Sequence, residues 1–151
     1  MGLFNRKLKV MIVYDQKNAP MQTPRYATVG SAGFDIAASK LTYIEPGATA
    51  LIDCGFSVKV PKGYELQIRS RSSLAGRRGL VVMNSPGTVD SDYTGPIKVI
   101  LHNFGKTKAI INYGDRIAQG VFTKVWQASW VEVKVLPVTK RGSGGFGSTG
   151  V

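Results

Sequence analysis

Polar and apolar positions alternate with a period of two along much of this chain. Tyr64, Leu66 and Ile68 stand against Glu65, Gln67 and Arg69, the pattern of a strand with one face in a core and one in water. Apolar runs at residues 9–14, 34–38, 48–53, 56–60, 80–83, 97–101, 109–112, 117–126 and 130–136 predict further short strands. Ala19-Pro20 and Pro24 mark a loop, Pro46-Gly47 is a turn and Pro61 ends a run. No stretch keeps an apolar period of 3.6 over three turns, and residues 72–76 suffice for one short helical turn. No internal repeat is visible. Short strands punctuated in this way predict an all-β sandwich or barrel.

Composition narrows the class. The 151 residues make about one domain, and a hydrophobic share of 43% with 19% charged describes a globular chain rather than a disordered one. No apolar run reaches the ~20 residues of a membrane helix. The charged opening, residues 1–7, lacks the apolar stretch of a signal peptide. Cys54 is the one cysteine, which excludes an intrachain disulfide and suits a reducing cytoplasm, or a host's cytoplasm for a viral protein. There is no Cys/His cluster for a metal, and His102, between Leu101 and Asn103, reads as a packing or surface histidine.

The net charge of +11 would suit a nucleic-acid binder. Yet Lys59, Lys98, Lys124 and Lys134 stand singly on predicted strands, as on solvated faces. The one dense cluster is Arg69, Arg71, Arg77 and Arg78 around Ser72 and Ser73. Arginine forks beside hydroxyls recognise phosphate oxygens, so a small polyphosphate fits better than a long duplex. A nucleic-acid or regulatory protein partner is not indicated.

Two stretches carry candidate chemistry. Residues 84–96, NSPGTVDSDYTGP, place Asp90 and Asp92 between two turn signals. An extended arm puts both carboxylates on one face, so that one can meet a pocket with Tyr93 as its apolar wall. An ordinary hairpin with a polar tip, and Tyr93 as its core aromatic, has the same composition. Residues 141–150 hold five glycines, with Arg141 and Phe146 isolated among them. That is either a tail without further role or an arm that folds over a nucleotide, its N–H groups wrapping phosphate and Phe146 stacking on a base.

Residues 84–95 resemble the third signature of the trimeric dUTP diphosphatases (dUTPases). Four more signatures of that family follow in its own order. Ser31-Ala32-Gly33-Phe34-Asp35-Ile36 is similar to the first and Arg71-Ser72-Ser73-Leu74-Ala75 to the second. Gly114-Asp115-Arg116-Ile117-Ala118-Gln119 is similar to the fourth, and residues 141–150, RGSGGFGSTG, to the fifth. The likeness spans residues 10–150, and five signatures in order are highly specific.

The resemblance implies a jelly-roll-like β-barrel over residues 1–136, a flexible Gly-rich arm over 137–151, and a homotrimer with active sites shared between subunits. It implies hydrolysis of dUTP to dUMP and pyrophosphate, keeping uracil out of DNA and supplying dUMP for dTMP synthesis. Asp90 would orient or deprotonate the attacking water. Asn84, Gly87, Thr88 and Val89 would read uracil, and Tyr93 would pack under the deoxyribose. Arg71, Ser72, Ser73, Lys98 and Gln119 would contact substrate, the phosphate chain above all. Arg141, Phe146, Gly147, Ser148 and Thr149 would close over it. Mg²⁺ would be carried mainly by the phosphates, with Asp35 acting on it through water. Without the family, Asp35 is equally a turn carboxylate after Gly33.

The chain departs from the family pattern at a few positions. Ser70 stands where many members have proline, Thr94 and Pro96 replace arginine and glutamate around Gly95, and Ile36 replaces leucine. None of these carries a proposed chemical role. Two other classes remain in view. A dCTP deaminase of similar fold needs a separate acid–base group, and no glutamate stands near residues 84–96. A nucleotide-switched binding protein needs an inserted segment, and the stretch between Gln119 and Arg141 leaves little room for one.

Overall fold

A computed structural model describes residues 7–20, 23–146 and 148. Ten strands and one short helix follow in the order β1 (Met11–Tyr14), β2 (Phe34–Ala37), β3 (Thr42–Ile44), β4 (Thr49–Lys59), β5 (Tyr64–Arg69), α1 (Ser72–Arg78), β6 (Leu80–Val82), β7 (Gly87–Val89), β8 (Pro96–Asn103), β9 (Ala109–Ile111) and β10 (Arg116–Lys124). They form two four-stranded antiparallel sheets, β1-β4-β8-β6 and β2-β10-β5-β7, and a two-stranded ladder, β3-β9. No described helix is long and apolar enough to cross a membrane.

Alternation determines which sheet face is buried. On β8, Ile97, Val99 and Leu101 point inward while Pro96 and Lys98 face water. On β5, Leu66 and Ile68 meet them from the other sheet in one continuous core. Burying each such side chain stabilises the fold by roughly 1.5–3 kcal/mol before entropy is counted. Cys54 lies in this core, and burial pushes its thiol up to about 12.

The structure corrects several strand expectations. Residues 48–53 and 56–60 are one strand, β4, with an irregularity between Asp53 and Ser57. Gly55, at φ +73°, sits at that irregularity against the Asn18 carbonyl, where a Cβ would lie 1.9 Å from oxygen. Only glycine fits there, so the strand passes through rather than ending. Residues 84–96 are not a hairpin. β7 pairs with β5 in one sheet, whereas β8, starting at Pro96, pairs with β4 and β6 in the other. Residues 130–136 form no strand, because no ladder partner lies beside them. The last strand among the described residues ends at Lys124. Strand β3 was not foreseen. The predicted turn at 72–76 extends to Arg78, where left-handed Gly79 ends it by donating to the Ala75 carbonyl. His102 is a packing residue as expected, with Nδ1 2.9 Å from Thr49 Oγ1 and its ring against Phe104.

Candidate active site

The β5–α1 junction builds the best-connected polar group of the described structure. Arg71 occupies the N-cap position of α1 in an extended conformation, and its side chain makes no capping bond. It reaches across instead: Nε lies 3.3 Å from Asp35 Oδ1, and Nη1 donates to the Arg116 carbonyl at 2.9 Å. Arg116 completes the triangle, its Nη1 3.0 Å from Asp35 Oδ2. β10 lies between β2 and β5, and Gln119 stands opposite both Asp35 and Arg69. Its Nε2 donates to the Ser70 carbonyl at 2.9 Å. Gly33 leaves room for that amide, since a Cβ there would sit 2.7 Å from Gln119 Oε1. Ser72 and Ser73 are exposed on the first turn of α1, where backbone N–H groups have no partner within the helix.

Ser70 ties this group to the segment after β6. Its N–H donates to Ser85 Oγ at 3.2 Å, and its own Oγ accepts the Val82 N–H at 2.9 Å. A proline at position 70 could make neither bond. The departure from the family pattern therefore has a local role.

From Ser85 the chain enters β7. The Asn84 amide lies over buried Gly87, where a Cβ would be 2.9 Å from its nitrogen. Thr88 is exposed, Val89 half-buried and Asp90 exposed. The Asp90 carbonyl accepts the Tyr93 N–H at 3.2 Å, and Lys59 Nζ donates to the Ser91 carbonyl at 2.6 Å. Tyr93 is not a core aromatic. It is 46% exposed, leans over Gly95, and donates from its hydroxyl to the Pro96 carbonyl at 3.1 Å.

The structure separates Asp90 from Arg71. Val89 stands opposite Leu66 and Gly87 opposite Ile68, so β7 runs away from the Arg71 end of β5. Leu66 precedes Arg71 by five residues, roughly 16 Å at ~3.3 Å per extended residue. Lys98 is exposed in the other sheet, opposite Asp53. In the last stretch Arg141 donates from Nε to the Gly144 carbonyl at 2.8 Å, and Phe146 and Ser148 are exposed. Gly147 and Thr149 lie outside the described residues.

The donor set limits what metal the chain can hold. Among the described residues no three His, Cys, Asp or Glu side chains cluster, and both Asp35 oxygens face arginines. This fits a cation carried by a ligand's phosphates, not one caged by protein. The structure adds Arg116 to the polar group around Asp35, a residue that stands three positions before Gln119 in the segment 114–119.

Comparison with known proteins identifies the family. The sequence pattern of the dUTPase family matches residues 19–150. A deoxyuridine 5'-triphosphate nucleotidohydrolase of Caulobacter vibrioides is 51% identical over 138 residues, 89% of each chain. One from Desulfotalea psychrophila is 45% identical over 148 residues, 97% of this chain and 99% of its own. Among solved structures, the Staphylococcus bacteriophage 80alpha dUTPase G164S mutant with dUpNHpp superposes with a TM-score of 0.87. It is 25% identical, over 96% of this chain and all of its own. Family pattern, close relatives and fold agree, and the chain belongs to the dUTPase family.

Proposed function

We propose that this chain hydrolyses dUTP to dUMP and pyrophosphate in a site that two or more copies complete together. One observation carries the reading of the site: Asp35, Arg71 and Gln119 converge at one end of β5, while Asp90 stands roughly 16 Å along it. A water attacking the α-phosphate cannot be served from that distance within one chain. A second copy that brings its residues 84–93 to the first copy's Arg71 end removes the gap.

A homotrimer is the assembly we favour. Beyond Lys124 the chain leaves Trp126 93% and Trp130 92% exposed, a large apolar area for water to cover. Val131, Val133 and Val135 alternate along the same exposed stretch, as in a strand that lacks its sheet. Docking it on a neighbouring copy satisfies both the apolar surface and the unpaired backbone.

In the assembled site each side chain has a definite task. Asn84 and the backbone of Gly87, Thr88 and Val89 read the uracil edge, and close approach at Gly87 leaves no space for a thymine methyl. Tyr93 packs under the deoxyribose against a 2′-hydroxyl. Arg71, Ser72, Ser73 and Gln119 hold the phosphates, with Lys98 adding charge at the rim. Asp90 accepts a hydrogen bond from the water, whose oxygen attacks the α-phosphorus as the bond to the bridging β-oxygen breaks. The proton passes to Asp90 and pyrophosphate departs. General-base help of this kind is worth about 10²–10⁴ in rate. Arg141, Phe146, Gly147, Ser148 and Thr149 close over the nucleotide and exclude solvent. Mg²⁺ carried by the phosphates would screen their charge, and Asp35 would act on it through water.

The test is pyrophosphate release from dUTP, dTTP, dCTP and UTP side by side. Turnover of dUTP far above the other three is expected. Equal turnover of dTTP or UTP would overturn the uracil and deoxyribose assignments, and deamination of dCTP would overturn the reaction.

A further inference from the structure

In sequence order most of the basic residues are scattered, but the fold gathers some of them beside exposed aromatic rings. The β8–β9 connection, residues 104–108, carries Phe104, Lys106 and Lys108. It packs on the last turn of α1, where the Phe104 N–H donates to the Gly79 carbonyl at 2.8 Å and a Cβ on Gly105 would lie 3.1 Å from the Arg78 carbonyl oxygen. Arg77 and Arg78 are exposed on that turn, and Arg78 reaches β9 by donating from Nη2 to the Ile110 carbonyl at 3.1 Å. On the β3–β9 ladder Tyr43 stands opposite Ile110, and Lys108 Nζ lies 5.2 Å from the centre of the Tyr43 ring. Among the described residues one carboxylate is ion-paired to any of these cations, Glu45, 2.7 Å from Lys108 Nζ. Asp115, near Arg78, is turned to its own loop, where it accepts the Asn112 N–H at 2.9 Å.

A buried amide holds this surface in shape. Asn103 is 1% exposed, and its Nδ2 donates to the Ile44 and Thr107 carbonyls, both at 2.9 Å. Its Oδ1 accepts the Gly105 N–H at 2.8 Å. Both amide hydrogens and the carbonyl oxygen are thus spent on fixing the loop to β3. The fixed loop nevertheless turns its largest apolar side chain outward. Phe104 is 64% exposed and braced on the His102 ring, 4.1 Å away between centroids. Tyr43 is 55% exposed. A surface ordered in advance binds at a lower entropic cost.

The chemistry of the surface selects its ligand. A single-stranded nucleic acid offers unstacked bases to aromatic rings and phosphates to the cations around them. A duplex hides its base faces, and an acidic peptide would use the cations and leave the rings idle. We propose that the β8–β9 loop, with the end of α1 and the β3–β9 ladder, binds single-stranded nucleic acid. Phe104 and Tyr43 stack on bases, and Arg77, Lys106 and Lys108 meet phosphates. None of Tyr43, Phe104, Lys106 and Lys108 has a part in the dUTP site, so the two readings stand or fall separately.

The full chain is titrated against a labelled oligothymidylate of about twelve nucleotides, followed by fluorescence anisotropy over a series of salt concentrations. A non-hydrolysable dUTP analogue is present throughout to fill the nucleotide site. The oligonucleotide should bind more tightly than a duplex of the same length. Phe104→Ala should weaken binding by about 5-fold or more, as a stacked base is lost, and Phe104→Trp should not. Lys106→Gln combined with Lys108→Gln should flatten the dependence of log K on log salt by roughly 1.4, for two phosphate contacts at ~0.7 each. Lys62→Gln combined with Lys124→Gln removes the same charge at the far end of the sheets, beyond Lys59, and should leave the slope unchanged. Undiminished binding by Phe104→Ala, with its fold intact by circular dichroism, would overturn the proposal. So would an equal change of slope in the two lysine pairs, since only the general attraction of a basic protein would then remain. Polyglutamate bound more tightly than the oligonucleotide would assign the surface to an acidic protein instead.

Discussion

At the Arg71 end of β5 the side chains hold one another, whereas at the Asp90 end they do not. Asp35, Arg71, Arg116, Gln119, Ser70 and Ser85 are linked by hydrogen bonds and ion pairs of 2.9 to 3.3 Å. Asp90 contributes its backbone carbonyl to a turn, and its carboxylate has no hydrogen-bond partner among the described residues. Residues 125–146 go further, with no strand and no described side-chain bond back to the barrel. Groups that only bind can be set in advance by one chain, because guanidinium and amide positions need a rigid frame. On the proposed reading, the group that acts on the reacting atoms, Asp90, is the one left open for another copy or the substrate to complete.

The sharpest way to break that contrast is to remove the open carboxylate. Asp90→Asn should lower turnover by at least about 10²-fold while binding of a non-hydrolysable dUTP analogue stays near normal. Mixing this variant with a chain truncated before Arg141 should restore part of the activity, because the two defects can fall in different sites. Near-normal turnover in the variant would remove Asp90 from the chemistry. Absence of any recovery on mixing, with both chains co-assembled by light scattering, would mean that sites are not shared.

Next in size is loss of residues 141–151. The core strands end at Lys124, so the truncated chain should keep its fold by circular dichroism. Turnover should nevertheless fall by an order of 10²-fold, as the phosphates face water and the reacting geometry loosens. Phe146→Ala should do part of this damage, roughly 5- to 160-fold if base stacking of ~1–3 kcal/mol is lost. Phe146→Trp should do less. A protease cutting near Arg141 should be slowed by the dUTP analogue, and a truncated chain with full activity would reduce the segment to a tail.

What the sequence made legible follows the same division. The β5 and β8 alternations announce strands because one face of each is buried in a core the chain supplies itself. The alternation at 130–136 is as clear, yet no strand forms, since periodicity reports a preference and not a partner. β4 is one strand where two runs were expected, because the close approach of Gly55 to the Asn18 carbonyl that lets the chain pass through is set by a residue far away in sequence. β3 is only three residues long and is held by β9, about 65 positions later in sequence. The proposed site residues stand in or beside five short signatures that the sequence displays in order. Their grouping does not show there, because Arg71 meeting Asp35 and Arg116 depends on β10 lying between β2 and β5. Ser70 showed only as an exception, and its two hydrogen bonds come from partners 12 and 15 residues away.

A milder perturbation loosens the held end without touching a charge. Ser85→Ala removes the acceptor of the Ser70 N–H, with a cost to stability of about 1 kcal/mol for a partly exposed donor. The loop that presents Arg71 should gain freedom, so KM for dUTP should rise a few-fold with kcat little changed. A fall in kcat at constant KM would point to a role in the chemistry instead.

The smallest expected effect concerns pH. Glu65 lies on β5 toward the Asp90 end, and its Oε1 accepts Gln67 Nε2 at 2.7 Å and the Thr123 hydroxyl at 2.9 Å. The Gln67 bond foremost, with those of Thr123 and Thr88 and the charge of Arg69, holds its carboxyl below the ordinary glutamate range despite opposing burial. A depressed value in the folded state means that folding favours the ionised form. Its stabilisation is therefore complete above the unfolded pKa and is lost as pH falls through the folded one. Glu65→Gln should lower the melting temperature near neutral pH by no more than about 2 °C, since the group is close to solvent. Below that acid window the two proteins should melt together. A gap that persists unchanged in acid would show that packing, not ionisation, is what Glu65 contributes to this open end of the strand.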